Sequence, residues 1–64
     1  MNIKLKRISK ELTQKELANK VGISHVTLSR IEKGSCENIT LKTMKKLAEA
    51  LDTTVQDLFF SEEE

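Results

Sequence analysis

Sixty-four residues make one small domain. At this size folding hides only about 60% of the surface that the unfolded chain exposes, so stability has to come from close helix packing or from a partner chain. Cys36 is the single cysteine, which excludes a disulfide framework, and no cysteine–histidine spacing suggests a metal site. No apolar run approaches the roughly 18 residues of a membrane span, and the basic amino terminus lacks the apolar stretch of a signal peptide. A cytoplasmic protein without cofactor or membrane contact is therefore expected. The net charge of +1 favours no partner, but residues 1–33 hold eight Lys/Arg against three Asp/Glu, and residues 34–64 three against seven. The split fits either a nucleic-acid face in the first half or chance plus a solubilising tail at Glu62–Glu64.

Absence of proline, two glycines and two aromatics point to an all-α chain. A first helix over 2–10 carries Leu5 and Ile8 at helical spacing as its inward residues. Thr13-Gln14-Lys15-Glu16 is a capping box, and Leu12 and Leu17 flank it as a hydrophobic staple, so a second helix runs 14–21. Gly22 ends it in the position that favours positive φ. Ser24, between Ile23 and Leu28, opens a third helix over 25–33, which Gly34 closes. Thr40, between Ile39 and Met44, opens a fourth over 41–51, with Leu41, Met44, Leu47, Ala48 and Leu51 as its apolar set. Thr54 caps a fifth over 55–60, with Asp57 in its first turn. These five short amphipathic helices predict one compact bundle spanning 1–60 and an acidic tail over 61–64.

Helices two and three are separated only by Gly22, Ile23 and Ser24. Two helices joined by a short glycine turn form a helix-turn-helix unit, here 14–33. Ala18 is placed where the helices approach closely, and Val21, Leu28 and Ile31 fill the space between them. With Leu28 and Ile31 inward, Val26, Ser29, Arg30 and Lys33 turn outward and His25 lies at the flank. The outward face suits a major groove. His25 and Ser29 are candidate hydrogen-bonders to base edges, Arg30 can reach guanine or a phosphate, and Val26 can touch a thymine methyl. The alternatives are a solvated His25 and Arg30, and a Val26 resting on a neighbouring loop.

Residues 3–60 resemble the phage repressor and Cro family of helix-turn-helix regulators, often called the XRE family. The resemblance rests on Gln14, Glu16-Leu17-Ala18, Val21-Gly22-Ile23-Ser24, Ser29-Arg30-Ile31-Glu32-Lys33-Gly34, Leu47-Ala48, Leu51 and Leu58-Phe59. Asn38-Ile39-Thr40-Leu41 is similar to the loop of restriction–modification controllers. The resemblance implies a lambda repressor-like DNA-binding domain, base reading from His25, Val26, Ser29 and Arg30, and a double-stranded operator as partner. Phosphate contacts are expected from Thr13 and Gln14 at the start of the second helix, and from Lys33, Thr40 and Lys42 beside the third. Ser35, Cys36, Glu37 and Asn38 make the intervening loop less basic than in the phage repressors, which implies modest affinity per monomer. Arg7 and Glu32 match positions that form a partly buried ion pair in repressor-like relatives. Val55, Phe59 and Phe60 are candidates for a homodimer interface, with Leu58 and one phenylalanine closing the monomer core. A transcriptional regulator, most simply a repressor, is thus expected, with no small-molecule ligand and no catalytic constellation. The rival expectation is an antitoxin-like module that neutralises a partner protein. Against it, so little chain follows the last helix that no toxin-binding segment is expected.

Overall fold

A computed structural model of the chain describes residues 2–35 and 39–60. Five helices follow one another among the described residues: α1 (Ile3–Ser9), α2 (Gln14–Val21), α3 (His25–Glu32), α4 (Leu41–Ala50) and α5 (Val55–Phe59). No strand occurs among these residues, and the predicted boundaries stand within one residue of the observed ones. Cys36, Glu37, Asn38 and the 61–64 tail lie outside the described residues.

Side-chain oxygens start four of the helices. Thr13 accepts from the Glu16 N–H at 3.0 Å, while the Glu16 carboxylate accepts from the Thr13 N–H at 2.8 Å, completing the capping box. Ser24, Thr40 and Thr54 accept from the N–H groups of Thr27, Thr43 and Asp57. Four helices also end alike. Glu11, Gly22, Gly34 and Asp52 all have positive φ. After each, an N–H reaches back five residues: Leu12 to Arg7, Ile23 to Ala18, Ser35 to Arg30 and Thr53 to Ala48. This is the Schellman arrangement, which satisfies carbonyls that the helix end leaves free. Glycine meets the left-handed requirement at two of the four ends, and Glu11 and Asp52 bear it with a side chain.

The core is a contiguous set of Ile3, Leu17, Ala18, Val21, Leu28, Ile31, Leu47, Ala48, Leu51 and Leu58. Leu12, Ile23, Ile39, Ala50, Val55 and Phe59 pack partly buried against it. The first helix departs from expectation. Leu5 and Ile8 are 72% and 53% exposed, and α1 buries Ile3 and Arg7 instead. The reason is electrostatic: Glu32 is buried at the end of α3 and needs a cation, so the face of α1 bearing Arg7 turns inward. Leu5 and Ile8 lie well round the helix from Ile3 and Arg7 and are left on the outside. Leu41 is likewise exposed, at the first position of α4, whose inward face holds Leu47 and Ala48.

Two outcomes follow from these termini. An added Cβ at Gly22 meets no atom within 4 Å, so Gly22→Ala should lose only the left-handed preference, about 1 kcal/mol, visible as a lower urea midpoint with an unchanged slope. At two other helix ends the Lys10 ammonium contacts the exposed Asp52 carboxylate, joining the α1 and α4 termini. Through hydrogen bonding and charge it holds the Asp52 carboxyl below its ordinary value. A lowered folded-state pKa stabilises above the ordinary carboxylate range and is lost as pH falls through the shifted value. In an NMR titration, Lys10→Ala should therefore move the Asp52 midpoint upward.

Candidate nucleic-acid interface

The helix-turn-helix is built from the inside out. Ala18 is buried where α2 meets α3, Val21, Leu28 and Ile31 are buried around it, and the Gly22 N–H bonds the Ala18 carbonyl at 2.8 Å. Leu28 and Ile31 anchor one face of α3 and so fix the rotation of that helix about its axis. The opposite face presents His25, Val26 and Arg30 to solvent, with Ser29 half-buried beside them. Val26 is an exposed β-branched residue in the first turn. Ser24 caps this turn, its hydroxyl donating to Thr27 Oγ1 at 2.8 Å as well as accepting the Thr27 N–H. The start of α3 is therefore closed by these cap bonds, while its outward side chains are left without partners among the described residues.

The expected phosphate-facing residues occupy three places. Thr13 and Gln14 sit at the N-terminus of α2, with Thr13 exposed and Gln14 half-buried. The Thr13 hydroxyl accepts the cap bond, and among the described residues nothing takes its own proton. Thr40 and Lys42, both exposed, sit at the N-terminus of α4, and exposed Lys33 follows α3. The Thr40 hydroxyl is committed on both sides, accepting the Thr43 N–H and donating to Thr43 Oγ1 at 3.1 Å. Lys45 and Lys46 lie one turn further along the exposed face of α4 that carries Lys42, and sequence reading passed over them. Their i, i+3, i+4 spacing is the signal that would have found them.

Behind these surfaces lies a polar cluster. Arg7 Nε donates to Glu32 Oε2 at 2.7 Å, and Arg7 Nη2 to Glu32 Oε1 at 3.3 Å. Arg7 Nη1 donates to the Leu12 carbonyl at 2.8 Å, and the Leu12 N–H returns a bond to the Arg7 carbonyl at 3.1 Å. Gln14 Nε2 donates to Glu32 Oε1 at 3.0 Å. The Arg7 and Glu32 side chains are 11% and 4% exposed. One carboxylate thereby joins α1, the start of α2 and the end of α3. At α5, Leu58 is buried, Val55 and Phe59 pack against the core, and Phe60 is 61% exposed with its ring centroid 6.5 Å from that of Phe59.

Among the described residues no group of histidine, cysteine and acidic side chains is arranged to hold a metal ion, and no helix is long and apolar enough to cross a membrane. The chain is 37% identical over 62 residues to an uncharacterized HTH-type transcriptional regulator of Archaeoglobus fulgidus, covering 97% of this chain and 86% of the relative. It is 36% identical over 62 residues to an uncharacterized HTH-type transcriptional regulator of Methanocaldococcus jannaschii, covering 97% and 92%. A second such A. fulgidus protein is 38% identical over 53 residues, covering 83% and 74%. No solved structure matches. The family model described as "Helix-turn-helix" matches residues 3–58, which include every described helix from α1 to α4 and most of α5. The chain belongs to this helix-turn-helix family and is of its XRE, phage repressor and Cro-like, type.

Proposed function

We propose that this protein is a sequence-specific double-stranded DNA-binding regulator of transcription that acts as a dimer on a short operator and represses by occupancy. The observation that carries the reading is the outward face of α3. Among the described residues the side chains of His25, Val26, Ser29 and Arg30 have no partner there, while Leu28 and Ile31 lock the helix from behind. An α-helix fits the major groove with its first residues facing base edges. In this reading Arg30 takes guanine or a phosphate, His25 and Ser29 hydrogen-bond to bases, and Val26 meets a thymine methyl. Thr13 and Gln14 on one side, and Lys33, Thr40 and Lys42 on the other, hold phosphates, with the N–H groups at the helix starts adding to the attraction. Membership of the helix-turn-helix family and the names of the archaeal relatives support transcription regulation as the outcome.

Dimerisation in this reading uses the exposed end of α5. Phe59 and Val55 both pack partly buried against the core, so exposed Phe60, with the accessible parts of those two, supplies the patch that meets its own copy across a two-fold axis. A protein this small makes few phosphate contacts alone, and a second half-site adds a second set.

Selection of bound sites from random DNA tests both parts. The wild type should return two copies of one short motif at fixed spacing. The triple replacement of His25, Val26 and Ser29 by alanine should keep its melting temperature but lose that motif, at about 1–3 kcal/mol for each missing base contact. A triple variant that selects the same motif would remove α3 from the reading role. For assembly, sedimentation equilibrium at tens of micromolar should show a wild-type dimer and a folded, largely monomeric Phe60→Ala, with Phe59→Ala also losing thermal stability. A monomeric wild type, or a Phe60→Ala that stays dimeric, rules out this interface.

A further inference from the structure

We infer that Glu32 is a positioning residue for DNA binding: with Arg7 behind it, it orients the Gln14 amide so that one N–H is left to donate to a backbone phosphate. The inference rests on the proposed phosphate contact of Gln14 and adds the residues that set it. A glutamine amide presents a donor end and an acceptor end of almost equal size, and on an open helix start it can rotate to either. Next to a phosphate only the donor end is useful. An ionised carboxylate only accepts, so Glu32 Oε1, 3.0 Å from Gln14 Nε2, selects the orientation with the nitrogen inward. One N–H is used on Glu32, and among the described residues nothing accepts the second.

A buried carboxylate this close to the DNA backbone would repel it if its charge were open. Arg7 removes that objection by facing Glu32 through Nε and Nη2, and its third contact, to the Leu12 carbonyl, fixes the guanidinium on the turn that leads into α2. Charges then alternate outward: guanidinium, carboxylate, amide N–H, phosphate. Bonds of this kind strengthen when the ends of the chain are charged. Glu32 is also the last residue of α3, and Gln14 the first of α2. The contact therefore holds the backbone anchor at a set distance from the helix that carries the candidate reading residues.

The test is a double-mutant cycle on operator affinity, using the site returned by selection. The starting proteins are the wild type and Arg7→Met/Glu32→Met, in which an apolar pair replaces the ion pair at similar volume, an exchange that folded proteins tolerate. Gln14→Ala is added to each. In the wild type Gln14→Ala should weaken binding about tenfold, the size of one hydrogen bond to a charged group. The apolar pair should weaken binding several-fold without changing the selected motif, and Gln14→Ala should cost little more in that background. Equal losses in both backgrounds would leave Gln14 as a phosphate contact and overturn its positioning by Glu32. No loss in the wild type would overturn the phosphate contact itself, and with it this inference. Urea midpoints of all four proteins confirm that each is folded at the assay temperature. If the apolar pair does not fold, the Gln14 side-chain amide is followed by NMR in Glu32→Gln. Faster hydrogen exchange and a shifted nitrogen resonance support the orientation, and an unchanged amide overturns it.

Discussion

The arrangement of the first three helices depends on one carboxylate. Glu32 ends α3, where the helix dipole already concentrates negative charge, and it is almost wholly buried. Removing one partner of such a pair costs about 3–5 kcal/mol, because an uncompensated charge is left inside. A domain of this size has little more than that to lose. Arg7 answers the charge from 25 residues away, and in doing so it decides which face of α1 is inside. Apart from Arg7, the only residue α1 buries is Ile3. The ion pair is thus much of what attaches the first helix to the rest.

Around that fixed point the labour is divided by chemistry. Apolar residues set rotations: Leu28 and Ile31 for α3, Leu17, Ala18 and Val21 for α2, Leu47 and Ala48 for α4. Short polar residues set where helices begin, and left-handed residues set where they end. The outward side chains of α3 take no part in either task. They are free to differ between relatives without disturbing the fold, which is what a scaffold serving many DNA sequences requires.

Much of this plan is readable from the residues alone. Thr13, Ser24, Thr40 and Thr54 each announce a helix start by local chemistry, and Gly22 and Gly34 announce two ends. The stops at Glu11 and Asp52 are silent, because nothing about a glutamate or an aspartate advertises positive φ. The inward face of α1 is misread for a related reason. Periodicity ranks Leu5 and Ile8 above Arg7, and the carboxylate that reverses the ranking is distant in sequence. The bond between Gln14 and Glu32 is equally invisible to spacing, since 18 residues and a turn separate them. Local signals are legible, and long-range polar pairing is not.

The brevity of α3 has a consequence for information. Eight residues make a helix about 12 Å long, and half of them are committed to the core, the cap or the ion pair. In the proposed reading the remainder would address only a few consecutive base pairs, and a word that short recurs by chance every few hundred positions in a genome. A single copy of this domain would therefore find far more decoys than targets. The proposed dimer would read two words and also the interval between them, and the interval would exclude most chance occurrences. What distinguishes one operator from another would then be carried as much by the geometry joining the copies as by the letters each one reads.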